Sequence, residues 1–131
     1  MIAPGPLFST TRAFTQDEFD RFAAVSGDDN PIHVDPAFSA RTRFGRTVAH
    51  GMLLYTVLWG ELQRRVPGAR QIAQNLMFPA PTFAGEAMRF EAEVARCDGR
   101  TAAIVFRVAR AADGEVVCSA DTEIALPEGT P

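Results

Sequence analysis

The chain has 131 residues and a formal net charge of −3, and 47% of its residues are hydrophobic. A chain of this length predicts one domain, residues 1–131, and the apolar fraction is too high for an intrinsically disordered protein. Acidic and basic residues are scattered along the sequence. They form no basic stripe of the kind that nucleic-acid-binding proteins carry, and we therefore expect no nucleic-acid partner.

The sequence also bears on compartment and metal content. Cys97 and Cys118 are the two cysteines, and neither has the spacing of a metal ligand. The longest strongly apolar run, residues 52–59, is far too short to cross a bilayer, and no N-terminal signal with a basic start is visible. We predict a cytoplasmic protein with no membrane span and no metal site.

The first elements predicted along the chain are a short strand and a helix. Residues 1–8, rich in Pro and Gly, predict an irregular lead-in, and residues 9–14 a short edge strand. Thr15 and Glu18 fit a capping box at the start of a helix, which Gly27 ends.

A polar segment follows that helix. Pro31 lacks an N–H and biases Asn30 away from the α region, so we predict that the segment is not regular helix. A shaped loop would then carry Asp28, Asn30 and His33, which supply a carboxylate, an amide and an imidazole. Taken singly, these residues have ordinary structural explanations, because Asp, Asn and Pro favour turns and a lone His is usually hydrogen-bonded within the fold.

Two more helices are predicted before the chain changes character. Asp35 followed by Pro36 is a helix start, and this short helix should end near Thr42. The stretch from about Gly51 to Arg65 predicts a long helix that is apolar nearly all round in its first turns. A helix with no polar face is buried, so this one should be the centre of the fold.

In the second half of the sequence the hydrophobic period changes from 3.6 to 2, the pattern of half-buried antiparallel strands. Asp-Gly pairs between the alternating runs predict hairpin turns. The runs lie at residues 88–95, 104–109 and 116–126, and the Asp-Gly pairs at 98–99 and 113–114.

Residues 71–79 predict one further strand, with Ile72, Leu76 and Phe78 facing inward. The order is therefore a strand, helices and four antiparallel strands. One buried helix needs a wall on several sides, which a strongly curved sheet supplies. We predict an α+β fold in which a curved antiparallel sheet wraps around the central helix.

Two motifs, considered together, resemble the MaoC-like (R)-specific enoyl-CoA hydratases. The first is S-G-D-D-N-P-I-H-V-D-P-A-F, from Ser26, and the second is F-G-R-T-V-A-H-G-M-L, from Phe44. The family signature runs S-G-D-x-N-P-I/L-H-x-D, a short helix, and then H-G-M. Residues 78–86, F-P-A-P-T-F-A-G-E, are also similar to a connection between strands in that family. The resemblance implies the hot-dog fold and a homodimer.

The resemblance further implies syn addition of water to a trans-2-enoyl thioester, giving the (R)-3-hydroxyacyl thioester, or the reverse reaction. By resemblance, Asp28 and His33 are the acid/base pair. We favour Asp28 as the base that polarises the water, with His33 holding the same water and helping to deliver a proton to C2; the sequence leaves the division of roles within the pair open. Asn30 would orient the loop or the water. The N–H of Gly51, at the start of the buried helix, suits the enolate oxygen. No cofactor or metal is implied beyond the CoA or phosphopantetheine of the substrate.

The predicted substrate-binding residues are Asn30, His50, Met52, Tyr55 and Trp59. At 100° per residue, Tyr55 lies on the same helical stripe as Gly51, and Trp59 flanks that stripe. An acyl chain running along it would meet both aromatic rings, so we expect a preference for short or unusually shaped acyl groups. Some family members carry a small hydroxyl residue in place of Trp59.

Three other functions remain open from the sequence: a dehydratase acting on an acyl-carrier-protein thioester, an acyl thioesterase, and a non-catalytic acyl-binding or partner subunit. The first differs only in the carrier, because the chemistry is the same. Basic side chains suit either CoA phosphates or an acidic carrier protein. The intact D-x-N-P-x-H pattern argues against the other two. The basic candidates are Arg41, Arg43, Arg46, Arg64 and Arg65.

Overall fold

The computed structural model of the chain describes residues 2–128. The order of elements is the predicted one, a strand, helices and four further strands. The elements are β1 (Gly5–Arg12), α1 (Gln16–Ser26), α2 (Pro31–Val34), α3 (Pro36–Ser39), α4 (Gly51–Arg65), β2 (Arg70–Met77), β3 (Met88–Cys97), β4 (Thr101–Arg110) and β5 (Val116–Ala125).

The five strands form one antiparallel sheet in the order β1-β3-β4-β5-β2, so β1 and β2 are its edges. Helix α4 contacts β1 and β3, and its Tyr55 reaches Phe106 on β4 and Gln71 on β2. Because one helix touches both edges and the middle of the sheet, the sheet curves around it. Leu58 and Leu62 of α4 are fully buried in the core between them.

Several local predictions are confirmed. The Thr15 side chain accepts from Glu18 N at 3.2 Å, and Glu18 Oε1 accepts from Thr15 N at 3.1 Å, which is the predicted capping box. Gly27 ends α1 with φ of 79°, a left-handed value that favours glycine. The Asp35 side chain caps α3 as predicted, and α4 has the predicted bounds.

Other local predictions were wrong. Strand β1 begins at Gly5, so the irregular lead-in does not extend to residue 8. The sequence suggested it because Pro6 lacks a donor, but an edge strand tolerates proline. Helix α3 ends at Ser39 and not near Thr42. Helix α4 is not buried all round in the single chain, because Met52 is 45% exposed.

The inward orientation predicted for strand β2 was also partly wrong. Leu76 packs against the core, but Ile72 is 53% exposed and Phe78 is 42% exposed. The register of β2 against β5 shifts between Gln71 and Ala73, which breaks the alternation at Ile72. Phe78 lies beyond the end of the strand. None of the helices within residues 2–128 combines the length and hydrophobicity needed to cross a membrane.

Candidate active site

The polar segment after α1 folds into two tight turns. The Asn30 side chain accepts from Ile32 N at 3.1 Å and caps the one-turn helix α2, whose first residue is Pro31. His33 therefore lies on a short helix, and the prediction that this segment has no regular helix was wrong for residues 31–34. Pro31 is compatible with helix at the first position, where its missing N–H is not needed.

His33 and Asp28 face each other, with His33 Nε2 3.7 Å from Asp28 Oδ2. His33 is 8% exposed, whereas the Asp28 side chain is 57% exposed. On the other side of the ring, Nδ1 lies 2.8 Å from Val48 O. A carbonyl oxygen can only accept, so Nδ1 carries the hydrogen. In the neutral ring, the lone pair is then on Nε2, directed towards the carboxylate.

A cavity of about 410 Å³ opens beside His33, which forms part of its lining, whereas Asp28 does not. Its lining is mostly apolar and comes from α2, the basic span, the start of α4, β5 and the connection between β2 and β3. The lining residues are Ile32, His33, Arg43, Phe44, Val48, Ala49, Gly51, Leu54, Phe78, Pro79, Ala80, Pro81, Thr82 and Val117. An apolar cavity with a few convergent polar groups is the usual form of a small-molecule site.

Gly51 brings the start of α4 to the cavity. As the first residue of the helix, its N–H has no intrahelical acceptor and lies at the positive end of the helix dipole. A Cβ atom at this position would come within 2.7 Å of the Phe78 ring. The glycine is therefore required for the close approach of Phe78, and both residues line the cavity.

These groups can activate a water molecule. A water between Asp28 Oδ2 and His33 Nε2 could donate one hydrogen to each, because both are acceptors when His33 is neutral. Its lone pairs would then be free to attack an electrophile in the cavity. The backbone N–H of Gly51 could donate a hydrogen bond to an oxygen of the electrophile on which negative charge develops.

His50 lies behind the pair. It is 2% exposed, its ring stacks on His33 with centroids 3.8 Å apart, and its Nε2 lies 2.8 Å from the carbonyl oxygen of Asp28. Burial lowers the pKa of His50, and the neighbouring charge of His33 lowers it further, while the hydrogen bond to Asp28 opposes the shift. His50 is not among the residues that line the cavity.

The remaining predicted substrate-binding residues lie outside this cavity lining. Asn30 is exposed and caps α2, which agrees with its predicted role in orienting the segment. Met52 is exposed on the surface of α4. Tyr55 is buried in the core with its hydroxyl donating to Gln71, and the half-buried Trp59 stacks on Tyr55 with ring centroids 6.4 Å apart.

Sequence reasoning missed the residues at 78–82 as part of the site. Ala49 N donates to Thr82 O at 2.8 Å, which holds this connection beside the start of α4. The available signal was Pro79 and Pro81, which keep the backbone extended and unable to join the ladder. Val48 was also missed, and no pattern could have identified it because it acts through its carbonyl.

Asp28, His33 and His50 form a cluster whose potential ligand atoms lie within 4.8 Å of one another, close enough to bind a metal ion. Its geometry suits proton transfer better. Each imidazole already donates a hydrogen bond from one of its nitrogens to a backbone carbonyl. The two rings are stacked with an interplanar angle of 23°. Their lone pairs therefore lie in nearly parallel planes and do not converge on one point.

Comparison with known proteins identifies a family and several relatives. The family model described as the MaoC like domain matches residues 2–116. The (R)-specific enoyl-CoA hydratase of Aeromonas caviae is 43% identical over 86 residues, covering 64% of each chain. The 3-hydroxybutyryl-CoA dehydratase of Methylorubrum extorquens is 42% identical over 76 residues, covering 56% of this chain and 48% of that protein. The chain thus aligns with less than two thirds of the length of either relative.

The structural similarity is more extensive. The solved (R)-hydratase from A. caviae involved in PHA biosynthesis superposes with a TM-score of 0.87 at 33% identity, covering 97% of this chain and 98% of that one. The predicted hot-dog fold is therefore confirmed. From the match of the family model over residues 2–116 and this structural agreement, the chain belongs to the MaoC-like dehydratase family.

Proposed function

We propose that the protein catalyses the (R)-specific hydration of trans-2-enoyl-CoA thioesters to (R)-3-hydroxyacyl-CoA, or the reverse dehydration. The observation that carries this proposal is the pairing of Asp28 with the Nε2 lone pair of His33 at the edge of an apolar cavity. The hydratase and the dehydratase among its relatives support the choice of reaction.

In the proposed mechanism, the water between Asp28 and His33 attacks C3 of the enoyl group. As the new C–O bond forms, the C2–C3 π electrons shift towards the thioester carbonyl and form an enolate. One proton of the water passes to the acid/base pair. A proton from the pair then adds to C2 on the same face, so the addition is syn. Since the two groups lie 3.7 Å apart and hold the same water in this mechanism, they act as a pair.

The enolate oxygen formed during attack would accept a hydrogen bond from the N–H of Gly51. The acyl group would then lie in the cavity near Leu54 and Val117, which form part of its lining. Arg43 also lines the cavity and offers a cation to the phosphates of the carrier. These side chains and the backbone supply both proton transfers and the stabilisation of the oxyanion, so the proposed reaction needs no separate cofactor.

A homodimer and a cytoplasmic location are part of the proposal. Strand β2 is an edge strand with two exposed apolar residues, Ile72 at 53% and Met77 at 65%. Pairing with the same strand of a second copy would satisfy its free backbone groups and cover these side chains. Sedimentation at micromolar concentration should show a dimer, and a fully active monomer would contradict it. Both cysteines are free thiols, which supports a reducing compartment.

The direct test is an absorbance assay that follows loss of the enoyl double bond of crotonyl-CoA, with the chirality of the product determined. We expect (R)-3-hydroxybutyryl-CoA. Release of free CoA without hydration would indicate a thioesterase instead. The same assay with crotonyl-acyl-carrier protein tests the carrier, and a much larger kcat/KM for the carrier-protein substrate would overturn the assignment to CoA.

A further inference from the structure

His50 makes contacts that neither substrate binding nor packing explains. It is 2% exposed and lies behind His33, so a substrate in the cavity cannot reach it while the residues keep these positions. The Phe22 ring meets its other side edge-on, with centroids 4.9 Å apart. The ring of His50 is therefore held between a catalytic imidazole and the core side of α1.

The hydrogen bonding of His50 assigns its tautomer. The carbonyl oxygen of Asp28 can only accept, so the hydrogen lies on Nε2 and the 2.8 Å contact is a bond donated by His50. Nδ1 then holds a lone pair. This atom is buried and has no hydrogen-bond partner among residues 2–128. A buried polar atom without a partner costs about 1–3 kcal/mol.

That cost argues against a packing role. A phenylalanine or leucine would fill the same space between Phe22 and His33 without leaving a buried nitrogen unpaired. Local rules of this kind are broken mainly at functional sites. The histidine provides something a hydrocarbon cannot, namely a donor directed at the backbone of Asp28.

We propose that His50 is a positioning residue, which fixes the separation and relative orientation of the catalytic pair by donating to the carbonyl of Asp28 and stacking on the ring of His33. This inference rests on the proposed function. One neutral ring touches both members of the pair, at the backbone of one and the face of the other. The 3.7 Å separation of His33 Nε2 from Asp28 Oδ2 therefore depends on a third side chain.

The neutral state of His50 is part of the same role. When His33 takes a proton from the water, a charge forms on a ring whose centroid is 3.8 Å from that of His50. A second charged imidazole at that distance would oppose the transfer, whereas a neutral aromatic face attracts a cation. A neutral His50 thus allows His33 to become charged, while the stacking contact keeps the His33 ring in the same orientation.

Two substitutions distinguish the contribution of the hydrogen-bond donor of His50 from that of its aromatic ring. His50→Phe keeps a flat ring and removes the donor, whereas the amide of His50→Gln can place a donor near the position of Nε2. With crotonyl-CoA, we expect His50→Phe to lower kcat by about 10–10²-fold, the scale of a misplaced catalytic group, with KM changed less than about threefold. His50→Gln should recover a large part of that loss. If His50→Phe does not fold, His50→Asn replaces it, because its shorter amide matches Nδ1 and not Nε2.

A double-mutant comparison tests whether His50 acts through Asp28. In an Asp28→Asn background, His50→Phe should lower kcat much less than in the wild type, because the group being positioned has already been lost. Phe22→Leu is the matched control. It removes contact from the opposite side of His50 and should lower the melting temperature with kcat within about threefold of the wild type.

Several outcomes would overturn the inference. They are a kcat for His50→Phe within about twofold of the wild type, a raised KM with unchanged kcat, or a full multiplicative loss in the Asp28→Asn background. The first shows a packing role, the second a substrate contact, and the third an effect independent of Asp28. The wild-type assay keeps these outcomes distinct from failure of the proposed function, which would appear as absence of hydration by the unmodified protein.

Discussion

The two adjacent sides of the first turns of α4 differ in what they border. On one side, Gly51 and Leu54 line the cavity beside His33. On the other, Tyr55 packs edge-on against Phe106 with centroids 6.0 Å apart and donates to Gln71, so it joins the helix to the sheet. Leu54 and Tyr55 are neighbours in sequence and are almost equally buried, at 2% and 7% exposure. Leu54 borders the cavity, and Tyr55 belongs to the core.

This difference shows that burial and helical periodicity do not by themselves separate a site from a core. Both sides of α4 are apolar, and both have little exposed surface. The cavity exists because the connection at residues 78–82 covers the Gly51 side without filling it, while Gln71 of β2 and Phe106 of β4 contact Tyr55 on the other side. Substitutions on the cavity side should therefore change activity, and those on the sheet side should change stability.

The largest effect should come from the proposed catalytic pair, Asp28 and His33, of which His33 lines the cavity. Asp28→Asn and His33→Ala should each lower kcat by at least about 10²-fold with crotonyl-CoA, the usual scale for acid–base residues. Circular dichroism and melting temperature should show an intact fold. Asp29→Asn is the matched control, because Asp29 is the exposed neighbouring carboxylate and should be dispensable. Turnover like the wild type in either catalytic variant would remove the proposed mechanism.

The next effect concerns the glycine on the cavity side. Gly51→Ala places a Cβ 2.7 Å from the Phe78 ring, so the ring or the helix start must move. We expect kcat/KM to fall by about 10–10²-fold, because the proposed oxyanion donor and the cavity wall shift together. Gly60→Ala, in the same helix, meets no atom within 4 Å. It should retain activity and gain about 0.5–1 kcal/mol in the free energy of unfolding. Equal activity of the two variants would show that the close approach of Phe78 is unimportant.

Acyl-chain preference gives a direct test of the difference between the two sides. If the cavity ends at Leu54, Leu54→Ala should raise the ratio of kcat/KM for longer enoyl-CoAs to that for crotonyl-CoA several-fold. It should also cost about 2–5 kcal/mol of stability, so the assay must be run well below the melting temperature. Trp59→Ala, on the sheet side, should lower stability by up to about 3 kcal/mol and leave the ratio unchanged.

The opposite result is equally informative. A gain on longer chains in Trp59→Ala alone would show that the acyl chain runs along the stripe of Gly51 and Tyr55, as the sequence predicted. A wild-type enzyme most active on long chains would contradict the expected preference for short or unusually shaped acyl groups, whether the chain ends at Leu54 or runs along the stripe of Gly51 and Tyr55.

The sequence predicted the order of elements because local signals determine it. The capping box at Thr15 and Glu18, the apolar run of α4 and the alternating strands each depend on residues close in sequence. It also identified the D-x-N-P-x-H and H-G-M motifs, whose residues the fold brings together around Asp28 and His33. The arrangement of residues far apart in the sequence was harder to predict. The exposure of Ile72 follows from a register shift that no propensity encodes.

The roles within the site depended on contacts that the sequence does not contain. The sequence predicts that His50 binds substrate because it belongs to the H-G-M motif, whereas the fold stacks it on His33 and outside the cavity lining. The tautomer of His33 is determined by the carbonyl of Val48, an atom that every residue possesses. Side-chain types indicated which chemistry was possible, whereas backbone atoms and distances determined which nitrogen is available for it.

The smallest predicted effect lies at the start of α4, where the two sides meet. Burial lowers the pKa of His50 in the folded protein below the ordinary value of 6.5 that applies to the unfolded chain. Between these two values the unfolded state binds more protons, so stability rises with pH there. This contribution is fully present above about pH 6.5, falls as the pH drops below that value, and levels off below the folded pKa. In His50→Gln it is absent. The free energy of unfolding can be measured with urea at about pH 7.5 and about pH 5. On acidification it should fall more in the wild type than in His50→Gln. Equal losses would show that His50 takes up its proton as readily in the folded protein as in the unfolded chain.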